Sequence, residues 1–352
     1  MNILYIALES SNWIINLCNK MCEQGNTVTC IVQSLDEYDK TAKLELHENL
    51  TRVEIAYDKM FDLKYIYSLS KTLECDSFDI IFGSHAPIAP VIEGLAREFN
   101  KPWGVMLLDI PTDLMEIDSN RKAQWNYWFA ILSHADTLIF NTHVARDEHF
   151  KYVGERYDDS NVIPYGINMM KEYDNLGINL TSDYVVSVCR LTPAKNCLQI
   201  PKAIFLMDKT IAYIAIGRDC GQLTEIKEYC DSHNIKFEHH ENVSEAYKFN
   251  LIAHSAMLIY PQASEYIGGL SPFEAMYVGT PALVGDYKVL KQLYLDNSYY
   301  YDKTDEDLAK MITEIRNNRN HDKLLKSNEF VKEIASFEAM AKQMTNVFKK
   351  VT

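Results

Sequence analysis

Two series of short, uninterrupted apolar runs, separated by amphipathic segments, constrain this chain more than any other feature. In the first half the runs are Ile3–Ala7, Thr27–Val32, Asp79–Gly83, Trp103–Leu108 and Thr137–Phe140. In the second they are Tyr184–Val188, Ile211–Ile216, Met257–Tyr260 and Ala282–Val284. A strand with one face in water alternates apolar and polar residues, whereas a continuous apolar run suits a strand buried on both faces of a parallel sheet. Between the first two runs Trp13, Leu17 and Met21, together with Ile14 and Cys18, recur at helical spacing, and Gly25 supplies the stop. The rhythm predicts an α/β protein with two Rossmann-like parallel-sheet domains facing a cleft. A chain of 352 residues has the length for both.

The boundary is expected after Val162-Ile163-Pro164-Tyr165-Gly166-Ile167-Asn168. This gives a first domain over 1–168, a polar and periodless linker over 169–182, a second domain over 183–335 and a terminal amphipathic helix within 336–352. The opening residues lack a basic flank and reach Glu9 too soon for a signal peptide, so they read as a first buried strand. No apolar run approaches the roughly 20 residues needed to cross a bilayer. Eight cysteines contain no Cys-x-x-Cys pair and are expected as buried free thiols in a reducing cytoplasm. The net charge of −14 is uneven: residues 1–170 hold 14 Lys+Arg against 25 Asp+Glu, a net of −11, and the remainder holds 21 against 24. Such a first half offers no general attraction to nucleic acid or an anionic membrane.

Two peptides place polar groups at the carboxyl ends of the predicted strands. Arg190-Leu191-Thr192-Pro193-Ala194-Lys195-Asn196 follows one run, and Gly268-Gly269-Leu270-Ser271-Pro272-Phe273-Glu274-Ala275-Met276 follows another. The glycine turn opens a helix that ends near Gly279-Thr280-Pro281. A helix start presents free N–H groups, and two cations meeting it suit a diphosphate. The Glu274 carboxylate suits sugar or ribose hydroxyls. The bland alternatives are a solvated loop with incidental basic residues and an acid that only complements the helix dipole.

In these residues the chain resembles the retaining glycosyltransferases of the two-domain GT-B type, family 4. The resemblance implies that Arg190 and Lys195 hold the leaving diphosphate. Gly269, Leu270 and Ser271 then lie against donor phosphate, and Glu274 binds the ribose hydroxyls. The donor is expected to be a nucleotide sugar, UDP-linked, and the acceptor a glycan, a lipid-linked glycan or a small hydroxyl compound. No metal or other cofactor is expected, because fixed cations and N–H groups stabilise the departing phosphates. The terminal helix is expected to cross back onto the first domain, as in the family.

Several positions depart from the family pattern. Glu265 and Glu274 are one residue further apart than the family's pair, and Tyr266 stands in strict register. Either the loop holds an extra residue and Glu265 still touches the donor sugar, or that contact is lost. The first loop, Glu9-Ser10-Ser11-Asn12-Trp13, lacks the usual glycine, and Trp13 reads as packing. His85, in Ser84-His85-Ala86-Pro87, matches a frequent cleft histidine of the family, with a structural histidine as the alternative. In Leu108-Asp109-Ile110, Leu108 replaces the histidine of many members and Asp109 remains.

Bacteriophage DNA-base glucosyltransferases of the same fold carry an Asp-Ile pair at a comparable strand end, with the Asp as general base. Asp109 is therefore either the acceptor's base or an N-cap. This gives a second reading, with hydroxymethylated pyrimidine in DNA as acceptor. The acidic first half opposes it, and Arg316, Arg319, Lys323 and Lys326 form the one basic cluster that would serve it. A non-catalytic GT-B subunit is the third reading. Asp305-Glu306-Asp307 spells the Asp-x-Asp of metal-dependent enzymes of another fold, but it follows Thr304 and reads as a capping box.

Overall fold

The computed structural model describes residues 1–8, 12–34, 45–73, 77–108, 111, 115, 118–158, 161–170, 183–207, 211–262 and 268–352. They fall into two compact units, Met1–Gly166 with Phe337–Thr352, and Ile167–Ser336. Among the described residues each unit holds one six-stranded sheet.

In the first unit β1 (Asn2–Ala7), β2 (Thr27–Gln33), β3 (Leu50–Ile55), β4 (Ile80–Ser84), β5 (Trp103–Leu107) and β6 (Thr137–Phe140) are parallel, in the order β3-β2-β1-β4-β5-β6. The side-chain period of two explains the continuous apolar runs. Ile3, Tyr5 and Ala7 enter one core with the helices Asn12–Glu23 and Phe337–Phe348, while Leu4 and Ile6 enter another with the helices Ala89–Phe99 and Ser119–Leu132. Both faces are covered, so neither alternates.

The second unit repeats the plan. Its strands β7 (Tyr184–Val188), β8 (Ala212–Ile216), β9 (Phe237–His240), β10 (Leu258–Tyr260), β11 (Ala282–Gly285) and β12 (Tyr299–Tyr301) run parallel in the order β12-β11-β10-β7-β8-β9. In each sheet the chain starts centrally, winds to one edge, then returns to the other side of its first strand. The reversal falls between β1 and β4 in one sheet and between β7 and β10 in the other. Loops leaving the carboxyl ends at such a reversal diverge and open a crevice, the usual ligand position in this architecture.

Three strands escaped the apolar pattern: β3, β9 and β12. All three are sheet edges. Thr51 and Glu54 of β3 and Glu238 of β9 are exposed, and Tyr299 and Tyr300 of β12 are half-buried. The fourth edge, β6, is buried along its length and keeps its apolar run, so it is exposure of a face rather than edge position that hides a strand.

The terminal helix Phe337–Phe348 belongs to the first unit. Its buried residues Phe337, Met340, Ala341, Met344, Val347 and Phe348 share a core with Ile14, Leu17 and Met21. The Phe348 ring lies 4.7 Å from that of Phe82. Burial of each large side chain here contributes about 1.5–3 kcal/mol. Trp13 packs, as its residues suggested: its indole N–H donates to the Gly166 carbonyl at 2.7 Å, and its ring meets Tyr165 and Phe337 edge-on. A Cβ on Gly166 would lie 2.8 Å from the Phe337 Cα, so only glycine fits that crossing.

The cysteine expectation needs correction. All described cysteines are free thiols, but Cys220 is exposed and Cys189 half-buried, and Cys75 lies outside the described residues. No described helix is long and apolar enough to cross a membrane.

Candidate functional site

The two cations of the second unit sit on one short loop at the β7 end of the reversal. Its start is pinned by the Cys189 N–H on the Ile216 carbonyl at 3.0 Å and the Leu191 N–H on the Arg218 carbonyl at 2.9 Å. Pro193–Lys195 forms a single 3-10 turn, ended by Asn196 in the left-handed conformation at φ 51. The Asn196 amide donates to Gln199 at 3.1 Å, and Tyr301 holds the same Gln199 oxygen at 2.8 Å. Arg190 is exposed, and among the described residues its guanidinium has no hydrogen-bond or ion-pair partner. Lys195 is half-buried, and burial pulls its ammonium below the ordinary lysine value. A partly desolvated cation attracts an anion more strongly than one in bulk water.

The β10 side completes the arrangement through a residue that sequence reasoning missed. Lys195 Nζ donates to the Tyr260 hydroxyl at 2.6 Å and lies 5.0 Å from that ring's centre. A Cβ on Gly269 would come 2.7 Å from the same hydroxyl. Tyr260 therefore touches both the cation loop and the glycine turn. The Tyr294 hydroxyl fixes that turn by donating to the Gly269 carbonyl at 2.7 Å. The helix Ser271–Tyr277 then begins with Leu270 as N-cap and no side-chain cap. The Ser271 hydroxyl is buried with no partner among the described residues. An unpaired buried hydroxyl costs about 1–3 kcal/mol, a cost found where a ligand completes the set.

Glu274, 6% exposed, is not an open carboxylate. Its Oε1 accepts from Lys248 Nζ at 2.8 Å, and Lys248 also donates to Glu245 at 2.8 Å. Burial raises the Glu274 carboxyl above its ordinary value against the pull of Lys248. For Lys248 burial works downward, but Glu274 and Glu245 outweigh it and raise the ammonium. The result is a carboxylate with one oxygen fixed and the other without a partner among the described residues. Lys248 was also missed, because it meets Glu274 from 26 residues away.

In the first unit His85 follows β4 at that sheet's own reversal. Its backbone is at φ 73 and ψ 138, a conformation side chains rarely adopt. The His85 N–H donates to the Met106 carbonyl at 2.9 Å, which holds it there. Such strain costs about 1–3 kcal/mol and clusters at functional positions. Asp109, Glu265 and Tyr266 lie outside the described residues, as does most of the expected linker.

The remaining candidates have structural partners. The Thr304 hydroxyl accepts from the Asp307 N–H at 3.2 Å, which is the expected cap. The reciprocal half of the box differs: Asp307 accepts from the Asp302 N–H at 2.8 Å rather than from Thr304. Within the basic cluster, Arg319 donates to the Ser255 and Ala256 carbonyls at 3.3 and 3.0 Å, and Lys323 lies 4.4 Å from the Tyr299 ring centre. Two of its four cations are thus committed inside the unit.

Known structures and families align with this geometry. HepE of Anabaena in complex with UDP is similar over 99% of this chain and 100% of that one, with 13% identity and a TM-score of 0.80. Sucrose-phosphate synthase of Thermosynechococcus elongatus is similar over 100% and 99%, with 16% identity and a TM-score of 0.82. A glycosyltransferase of Rickettsia africae is similar over 99% and 98%, with 15% identity and a TM-score of 0.76. Likeness at such identities speaks to the fold, which is GT-B. No curated protein matches the chain in sequence. Residues 170–331 match the family described as Glycosyl transferases group 1, and this stretch carries Arg190, Lys195 and Glu274.

Proposed function

We propose that the chain moves a sugar from a UDP-linked donor to a hydroxyl acceptor, without a metal and with retention of configuration. The acceptor is a glycan, a lipid-linked glycan or a small hydroxyl compound. The observation that carries this reading is the junction of Arg190, Lys195 and the Gly269 turn, joined through Tyr260 at the second sheet's reversal. Cleaving a nucleotide sugar builds negative charge on the departing diphosphate. Fixed cations that need no reorganisation stabilise that charge most effectively. The Ser271 hydroxyl and the uncapped helix start add donors for phosphate. The unpaired oxygen of Glu274 takes the ribose hydroxyls, held in aim by Lys248. Glu265 reaches the donor sugar in this reading, and His85 belongs to the acceptor side.

HepE has been solved with UDP, with UDP and glucose, and with UDP-glucose, which supports a UDP donor here. Retention assigns the acceptor proton to the departing phosphate, so Asp109→Asn should cost little. Loss of a required base in an inverting enzyme costs about 10² to 10⁴-fold. The deciding experiment is titration of UDP and UDP-glucose in EDTA, followed by an anomeric assay of the product. Binding and transfer that survive EDTA, with the donor's configuration kept, support the reading. Transfer abolished by EDTA and restored by manganese overturns it.

A further inference from the structure

Two thiols bracket the loop that carries the cations. Cys189 immediately precedes Arg190, Cys197 immediately follows Asn196, and their sulfurs are 3.3 Å apart. Cys189 is half-buried, whereas Cys197 is fully buried in the core beside Leu191 and Ile200. The first unit offers a contrast. Its Cys18, Cys22 and Cys30 also cluster, but all three are buried and none offers an oxidant a way in. Cys220 is exposed, and its backbone N–H donates to the Leu191 carbonyl at 3.1 Å.

We infer that Cys189 and Cys197 are an oxidation site: a peroxide closes them to a disulfide, and the closure re-aims Arg190 and Lys195. The hydrogen bond from Cys189 pulls the Cys197 thiol below its ordinary value, with Ser187, Tyr213 and Lys195 adding to the effect. The hydrogen bond to Cys197 and burial hold the Cys189 thiol well above its ordinary value while Lys195 and Arg190 pull the other way, so its small thiolate fraction is the form that reacts. The Cys189 thiolate attacks one peroxide oxygen, the O–O bond breaks, and the leaving hydroxide takes a proton to become water. Cys189 is then a sulfenic acid. The Cys197 sulfur attacks it, the S–O bond breaks, and the hydroxyl leaves as a second water with the Cys197 proton. Two thiols and one hydrogen peroxide thus give one disulfide and two waters. The sulfurs lose two electrons and the peroxide gains them.

Closure draws the sulfurs from 3.3 Å to about 2.05 Å. Cys189 yields little, because its N–H is bonded to Ile216 and its carbonyl abuts Gly217. Cys197 is held by a softer contact, its N–H on the Gln222 side chain at 3.1 Å. The displacement therefore falls on residues 190–196. It disturbs the 2.6 Å bond of Lys195 to Tyr260, which has no slack to absorb it.

The effect on UDP rests on the donor reading above, while bond formation does not, so the test separates them. On a Cys220→Ser background the protein is treated with hydrogen peroxide or with dithiothreitol. Peptide mapping without reductant should show a Cys189–Cys197 link with the loss of two hydrogens. UDP binding should weaken about tenfold on oxidation and recover with dithiothreitol. Cys189→Ser and Cys197→Ala should each make UDP binding indifferent to peroxide. Failure to form the link overturns the inference, and so does a link that leaves UDP binding unchanged. If the reduced protein binds no UDP, the donor reading fails instead. Amide exchange over residues 190–196 then decides: altered by the link, it upholds the oxidation site, and unaltered, it removes it.

Discussion

The two sheets of this protein share one strand order yet carry different chemistry at their reversals. In the second unit Lys195 rests on Tyr260 beside a glycine turn, Lys248 holds the buried Glu274, and Arg190 stands exposed on the loop that carries Lys195. In the first, a single strained His85 follows β4, and residues 1–166 with 337–352 hold 17 Lys+Arg against 26 Asp+Glu, a net charge of −9. The frame alone therefore specifies no activity. A parallel sheet supplies a crevice wherever its winding reverses, and the short peptides after the central strands decide what that crevice can hold. Among the described residues, cations gather at the second reversal.

The strongest way to break the comparison is Lys248→Ala. It leaves the Glu274 carboxylate buried and unpaired, and urea denaturation should show a loss of about 3–5 kcal/mol. Replacing both residues, Lys248→Met with Glu274→Leu, should recover most of that loss. A single variant as stable as the parent means the pair is not structural.

Next come Arg190→Ala and Lys195→Ala. Each should lower sugar transfer about a hundredfold, equal to about 3 kcal/mol of transition-state stabilisation, with the melting temperature unchanged. Near-normal transfer in both moves the donor site elsewhere. Lys195 also predicts a pH dependence. Its ammonium is the form that binds phosphate, and burial lowers its pKa. UDP affinity should therefore fall as pH rises through that lowered value, before an ordinary lysine would titrate. Lys195→Arg should flatten the fall, as calorimetry across the pH range would show.

In the first unit His85→Gly should relieve the positive φ and raise stability by about 1 kcal/mol while reducing transfer. His85→Ala should keep the strain and gain nothing. Destabilisation by His85→Gly would erase the distinction drawn for that position.

The smallest effect is expected at the cap. Asp305→Asn should cost about 0.5 kcal/mol through the helix dipole and leave transfer unchanged with or without manganese. A transfer defect in this variant would bring the Asp-x-Asp back as a metal site.

How much was legible follows from where partners lie along the chain. The central strands could be read because burial on both faces leaves uninterrupted apolar runs such as Ile3–Ala7. The strands β3, β9 and β12 could not, since their residues are partly exposed and interrupt that pattern. Arg190 and Lys195, and Gly269 and Glu274, could be read because each pair falls within one contiguous peptide. Tyr260 meets Lys195 from 65 residues away, and Lys248 meets Glu274 across 26. No local spacing announces either contact. Cys189 and Cys197 are only eight residues apart, but their sulfurs meet because a turn folds the chain between them.

The sequence by itself determined the class of fold and the turns of the Arg190–Asn196 and Gly268–Met276 peptides, because burial period and turn chemistry are local properties that residues express in order. Tertiary structure alone decided which oxygen of Glu274 is occupied, that the Lys195 ammonium rests on a phenol, and that two thiols face each other beside the cations. Those are contacts between side chains from different strands and helices. Their geometry exists only once the second sheet is wound and its loops are brought together.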